Sequence, residues 1–445
     1  MKTIRTKIIS TSLLMLAMLL NVAAQNKPWT LDDCINHALN NNIQVRQAAL
    51  SGEQNQLYTD QAKAAKLPSL SASVRQNFNW NKSIESETGN FGNLEGSNNS
   101  SFSLGSSMTL YNGLKLNNQI KQSELNLQSS LLYSETVKES IELSILDAFL
   151  QVLYAQESVA NAEKQIEATT EQLALAGERL NLGIISQSDY LQIKSELASE
   201  KQTLANAKSQ LAIARVGLMQ LMELPVDNTF EIASVDMNSL LNKNMMPDAN
   251  EVFALALTIK PQIKKAELDK QSAQLDEKIA KASLLPSLSL DAGLGTSYSS
   301  ISGGYNYSEQ LKNQISPSLG LSLSVPVFQK KQAKTSISLA KIGVMNAELE
   351  EINTKNQLRK EIEQAVVDVE SAQLEYEAST EQYQAVQESN EVANEKFHLG
   401  LMNSVDYLFE KTNLITSESK LLQSKYNLIF SYKILDFYKG VSITL

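Results

Sequence analysis

The sequence predicts a mainly α-helical chain with a small β part, built twice from one plan. Three observations carry this reading. Ile141, Ile145, Ala148, Val152, Ala155, Val159, Ala162 and Ile166 step by four and three residues in alternation, and the spacing continues through Thr169, Leu173 and Ala176 to Leu180. A near-3.5 repeat of small apolar residues is the seam of a long coiled-coil helix. The seam returns 217 residues later as Leu358, Ile362, Ala365, Val369 and Ala372, running on to Phe397, and neither copy contains proline. Before each seam the period switches to two, in a pair of stretches that read as a β-hairpin.

The bulk numbers agree. The chain has 445 residues with only 6% aromatics, a composition suited to long helices rather than a thick compact core. Met1 to Ala24 reads as a secretory signal: Lys2, Arg5 and Lys7 precede the apolar run Leu13–Leu20, and Val22-Ala23-Ala24 forms a cleavage site. The formal net charge is −10, and losing the leader removes three basic residues, so the exported chain is more acidic still. That acidity argues against nucleic acid as a partner. The one cysteine, Cys34, cannot form an internal disulfide and lies in a charged context unlike a lipoprotein cleavage site. A small apolar residue on a helix face is the reading preferred. No later window approaches the roughly 18 apolar residues of a spanning helix, so entry into a membrane has to be by strands.

Taken in order, Leu31 to Lys66 is expected as helix, closed by Pro68. Leu70, Ala72, Val74, Phe78 and Trp80 then alternate with polar residues as a first strand. Asn81–Ser101 is expected as a polar loop, and Phe102, Leu104, Met108 and Leu110 mark a second strand. Each strand covers roughly ten residues, the length that crosses a tilted bilayer, and the aromatic ends Phe78, Trp80 and Tyr111 favour that setting over a soluble sandwich. A long helix follows to about Leu182, Gly183 breaks it, and the returning helix carries Leu197, Leu204, Leu211 and Leu218 at sevenfold spacing. The second half repeats this plan. Leu67-Pro68-Ser69-Leu70-Ser71 matches Leu285-Pro286-Ser287-Leu288-Ser289, strands are expected on Leu288–Tyr298 and Leu319–Val327, a Gly/Ser/Tyr loop spans Tyr298–Tyr307, and Leu414, Leu421, Leu428 and Leu435 mark the last helix. The domain plan is therefore 1–24 leader, 25–225 first repeat, 226–250 connector and 251–445 second repeat.

Four strands cannot close a membrane barrel, because single-chain barrels begin at eight. Open edges in lipid leave backbone groups unpaired. The chain must share its barrel with copies of itself: two would give eight strands, filled by side chains, and three would give twelve, wide enough for a water channel.

The arrangement resembles the TolC-like outer-membrane efflux family. Three signatures carry the resemblance: Leu31–Ala48 with its "AL…N" core; the strand-to-helix passage Leu319–Lys331; and the paired turns Leu180-Asn181-Leu182-Gly183-Ile184…Asp189-Tyr190-Leu191 and Phe397-His398-Leu399-Gly400-Leu401…Asp406-Tyr407-Leu408. The resemblance implies long coiled-coil helices forming an α-barrel, four transmembrane strands per chain, and a homotrimer with a twelve-stranded β-barrel in the outer membrane continued across the periplasm. It implies a passive exit duct of a tripartite export system for drugs, toxic compounds or other small molecules, partnered by a periplasmic adaptor (a membrane fusion protein) and an inner-membrane pump. A type I protein secretion system uses the same architecture, and a soluble periplasmic coiled-coil spacer is a third reading.

By the same resemblance the adaptor docks on Leu182, Gly183, Ile184, Leu399, Gly400 and Leu401. Gly183 and Gly400 equally suit the positive-φ residue that closes a helix. Asp189 and Asp406, six residues past the glycines, would place carboxylate rings at the periplasmic aperture, and each also suits a helix N-terminus facing the dipole. Met402 stands where the family has an arginine of the closing network, and Phe409 where it has a second gate aspartate. Candidates for chemistry are poor. His37 and His398 lie in unlike settings, Met245-Met246 is too small a cluster for copper, and no nucleophile, paired-cysteine or phosphate-loop motif points to an enzyme, a metal or a cofactor.

Overall fold

The computed structural model describes residues 28–84, 91–227, 229–235, 237, 241, 248–302 and 304–445. The expected leader, much of the connector and Met245-Met246 lie outside them. The described elements are α1 (Leu31–Asn41), α2 (Ile43–Ala64), β1 (Ser69–Ile84), β2 (Phe91–Tyr111), α3 (Lys115–Asn181), α4 (Gln187–Leu221), α5 (Ala249–Ile259), α6 (Pro261–Ala282), β3 (Ser287–Ser299), α7 (Tyr307–Asn313), β4 (Ser316–Ser324), α8 (Gln332–His398) and α9 (Ser404–Tyr438). The chain divides into two compact units: one of Leu50–Leu132 and Lys264–Asn353, the other of the residues up to Ala49, Tyr133–Ile263 and Thr354–Leu445.

The first unit holds the sheet. Its four strands run in the order β1-β2-β3-β4, all antiparallel, so the two hairpins share one sheet and β1 and β4 are its edges. The register sorts side chains cleanly. The row Ala72, Leu104, Leu294, Pro317 lies on one face with Val74 and Phe102, and with the pairs Leu290↔Leu321 and Leu288↔Leu323. The other face carries Ser71, Gly105, Gly293 and Ser318, then Ser73, Ser103, Gly295 and Ser316. In the single chain the apolar face is bare: Leu70 is 73% exposed, Trp80 63% and Leu319 77%. The serine face is bonded across strands, with Ser73 Oγ and Ser103 Oγ 2.8 Å apart.

Several boundaries differ from those read from sequence. The expected loop Asn81–Ser101 is mostly strand: β1 runs to Ile84, β2 begins at Phe91, and Asn79↔Ser97 and Asn81↔Glu95 extend the ladder. A neighbouring strand satisfies the backbone of polar residues as well as that of apolar ones, so pairing overrides their weak strand propensity. β4 stops at Ser324, short of Val327, because Pro326 has no N–H to donate. The expected Tyr298–Tyr307 loop leads into α7, capped by Asn306, whose Oδ1 accepts from Glu309 N at 2.9 Å. Each half then turns from strand to helix through two successive left-handed residues, Gly113-Leu114 and Lys330-Lys331. At Gly113 a Cβ would lie 2.8 Å from Leu285 Cβ, so both conformation and space require glycine there.

The second unit is helical and bears out both seams. Ile145, Val152 and Thr169 on α3 are wholly buried, as is Ile362 on α8, with Leu358 and Val369 at 1% exposure. Helices α3 and α8 are each 67 residues long, about 100 Å at ~1.5 Å per residue, and α4 and α9 are each 35. Cys34 is buried on α1, in a cluster with Ile145, Leu146 and Phe149, and that burial pushes its thiol up to about 12.

The helix expected from Leu31 to Lys66 is broken at Asn42, which is 4% exposed. Its Nδ2 donates to Leu221 O at 2.9 Å while its Oδ1 accepts from Gln44 N at 2.8 Å, so one side chain closes α1, opens α2 and fixes the end of α4. The same position of the second half is Lys260, 2% exposed. Its ammonium pairs with Glu139 at 3.1 Å and lies 3.1 Å from the centre of the Phe437 ring. Replacing Asn42 by leucine strands the Leu221 carbonyl and the Gln44 amide; the expected loss is about 1–3 kcal/mol, read by urea unfolding followed by circular dichroism. Unchanged stability would remove Asn42 from this role.

Candidate functional site: the two hairpin turns

The helix pairs α3/α4 and α8/α9 are joined by turns of one design. Each long helix ends on a left-handed glycine, Gly183 at φ 72° and Gly400 at φ 73°. Gly183 N donates to Leu180 O at 3.0 Å and Ile184 N to Arg179 O at 2.9 Å; Gly400 N donates to Phe397 O at 3.1 Å and Leu401 N to Lys396 O at 2.9 Å. This paired closure satisfies the last carbonyls of each helix. Around the glycines the apolar side chains point outward: Leu182 is 74% exposed, Ile184 65%, Leu399 73% and Leu401 75%. Four such residues on two short turns form an apolar surface with nothing of the described chain on it.

Asp189 and Asp406 sit three residues inside the N-termini of α4 and α9. Ser186 Oγ accepts from Asp189 N at 3.1 Å while the Asp189 carboxylate accepts from Ser186 N at 3.2 Å. Asn403 Oδ1 accepts from Asp406 N at 2.8 Å and its Nδ2 donates to Asp406 Oδ2 at 2.7 Å. Asp189 therefore completes a capping box with Ser186, whereas Asn403 caps α9 and Asp406 accepts from its side chain. Asp189 does more: it accepts from the buried Ser404 hydroxyl, which also bonds the Gln192 side chain, so the first turn is tied to the second. The hydroxyls of Ser186 first, then Ser404, hold the Asp189 carboxyl below the usual carboxylate range. Met402 is half-buried and Phe409 is 64% exposed.

A polar layer that the sequence reading missed continues from this link. Tyr407, 2% exposed, stacks on Phe397 with ring centres 4.6 Å apart and bonds Gln172 on α3. One turn further, Lys411 pairs with Glu200 at 2.7 Å, both nearly buried, and bonds Thr169. Arg179 Nη2 donates to His398 O at 2.9 Å. The signal was available where the repeats diverge: Glu200 has Ser417 as its counterpart and Thr169 has Val386, so the second copy lacks this arrangement. His37 meets Trp29 edge-on at 5.4 Å.

An exposed apolar sheet with open edges, joined in each half to a long helix, defines a subunit of a shared membrane channel wall. The outer membrane efflux protein family matches residues 34–223 and 252–440, so both halves are covered and the chain belongs to that family. It is an outer-membrane protein, of a family of channels rather than enzymes. The pyoverdine export outer membrane protein OpmQ of Pseudomonas putida is 26% identical over 48% of this chain and 43% of its own length. The outer membrane protein TolC of Escherichia coli is 20% identical over 67% of this chain and 60% of its own. These alignments thus span about half the length of the curated relatives. A crystal structure of CusC superposes with a TM-score of 0.78 at 18% identity, covering 94% of this chain and 96% of that one, and shows the TolC-like fold.

Two outcomes follow from the turns. Lys411→Met leaves Glu200 buried and unpaired, and is expected to cost about 3–5 kcal/mol, most of it recovered in the double variant with Glu200→Leu; urea titration of tyrosine fluorescence decides, and an unaffected single variant contradicts the pairing. The lowered Asp189 carboxyl stabilises the first turn fully above about pH 4, where an unfolded aspartate is already ionised, and that contribution disappears as pH falls through its folded value. Hydrogen-exchange protection of residues 184–190, corrected for intrinsic rate, should therefore drop only on the acid side of about pH 4, and Asp189→Ala should remove that step.

Proposed function

We propose that the chain is the outer-membrane exit duct of a tripartite export system, a passive homotrimer whose energy comes from an inner-membrane pump joined to it by a periplasmic adaptor. Its building blocks are the repeats 25–225 and 251–445 joined by the connector 226–250, exported by the leader 1–24. Three copies supply twelve strands, apolar toward lipid and serine-lined within, the smallest closed number here that leaves a water path. The observation that carries the reading is the pairing of that two-faced open sheet with outward-pointing apolar turns in one duplicated chain. Small molecules are the proposed cargo, a reading supported by the pyoverdine-export relative.

The adaptor's place is the turn surface of Leu182, Gly183 and Ile184 with Leu399, Gly400 and Leu401. Asp189 and Asp406, with Met402 beside them, ring the periplasmic aperture. Capping and gating are compatible, since a carboxylate that closes its own helix still presents charge to the lumen.

Leu401→Glu is expected to lower export of a reporter dye roughly tenfold, the effect of a docking penalty near 1.4 kcal/mol, while outer-membrane assembly survives. Normal export would remove the turn from the docking surface. Asp406→Ala should raise single-channel conductance and weaken cation preference in reconstituted bilayers; identical recordings would remove Asp406 from the aperture.

A further inference from the structure

The collar where four helices meet the sheet carries a charge pattern opposite to that of the whole chain. Overall the protein is acidic, with 49 Asp and Glu against 39 Lys and Arg. Residues 61–71, 108–123, 278–290 and 316–347 cover the ends of α2 and α6, the starts of α3 and α8, and the adjoining strand ends. They hold ten lysines and no aspartate or glutamate. All lie in the first unit. The pairs Ser69↔Ser107, Thr109↔Ser289 and Ser287↔Ser324 bring the four strand ends to one end of the sheet.

Two of these lysines are used inside the unit: Lys63 pairs with Glu124 at 3.1 Å and Lys281 with Glu277 at 2.7 Å. Lys66, Lys115, Lys330, Lys331 and Lys334 are exposed and make no ion pair among the described residues. The collar is also apolar, with Leu67 68% exposed, Val327 93% and Phe328 81%. These side chains continue the bare apolar face of the sheet, whose last apolar pair at this end is Leu288↔Leu323.

The second half has the stronger version. Its Lys330-Lys331 stands where the first half has Gly113-Leu114, and both lysines are left-handed, at φ 48° and 67°. Glycine holds such a backbone at less cost, so the lysines are there for their side chains. Phe328, Lys330, Gln332 and Ser336 line a groove of about 780 Å³. Gln329 fixes its wall by donating to Ser283 O at 2.9 Å. An ammonium and polar side chains beside an exposed ring suit an amphiphile with an anionic head and an apolar tail.

We propose that this groove binds an anionic glycerophospholipid of the leaflet at the helical end of the sheet. Lys330 and Lys331 hold the phosphate, and the acyl chains run past Phe328 onto the apolar face. An acidic protein would answer the charges but leave Val327, Phe328 and the face above them in water. A lipid covers charge and apolar surface together. The inference rests on the reading that the sheet lies in the outer membrane, and adds which class of lipid it selects and where.

Native mass spectrometry of the full chain in detergent, with phosphatidylglycerol or phosphatidylethanolamine added in turn, tests it. Phosphatidylglycerol adducts should exceed phosphatidylethanolamine adducts roughly fivefold, the effect of one lysine near an anionic surface. Lys330→Asn with Lys331→Asn uses a residue that tolerates the left-handed turn and should abolish the preference, while Lys330→Arg with Lys331→Arg keeps it. Equal adducts of the two lipids on the unaltered chain, or a preference that survives the asparagine pair, overturn the groove. Displacement of phosphatidylglycerol by equimolar inorganic phosphate overturns it too, because the site would then serve a free anion. A chain that takes up neither lipid and stays soluble without detergent removes the membrane reading and this inference with it.

Discussion

A backbone amide at the edge of a sheet has no water to bond once the sheet lies in hydrocarbon, and each unpaired group costs several kcal/mol. The rest of this structure answers to that constraint. Its four strands make one sheet with a largely apolar face, and both edges, β1 and β4, remain open. No rearrangement of four strands closes a barrel, so the sheet is a segment of a wall. The serine and glycine face follows from the same condition, because small polar side chains leave room and hydrogen bonds for water on the inside of a wider cylinder.

The helices of the second unit are held together by a different physics. Their seams are made of small residues at a near-3.5 spacing, which suits lateral packing of neighbours and leaves little bulk for a central core. Duplication makes this economical: one hairpin design, repeated, gives two helix pairs of equal length and equal turn geometry. The symmetry is imperfect where it matters for the turns. Ser404 reaching Asp189, Tyr407 reaching Gln172 and Lys411 set between Glu200 and Thr169 join the two halves, and their repeat equivalents are not a second set of the same bonds.

The fold was legible in the sequence because its signals are periodic and occur twice. Ile145, Val152, Ile362 and Val369 were readable as seam positions, and all four are buried. Gly183 and Gly400 were readable as helix ends, and both are left-handed. What sequence alone could not give was partnership. Asn81–Ser101 looked like a loop because its residues are polar, and only the facing strand makes them β. Asn42 gives no warning of a break until its side chain is seen bonding Leu221. The polar layer was hidden for the same reason: Thr169 occupies a seam position and reads as a small spacer, while Glu200 and Lys411 read as solvated charges 211 residues apart in sequence until the fold sets them 2.7 Å from each other. For the turns, exposure and capping were predictable from local chemistry, whereas the tie between Asp189 and Ser404 depends on the packing of one repeat against the other.

The central claim is that one chain is an incomplete piece of a channel wall. Native mass spectrometry of the protein released from detergent micelles tests it most directly, because it counts chains without relying on shape or antibody. The account predicts a complex of three chains that persists at low protein concentration. A water-soluble species of one chain, stable without detergent, would contradict it.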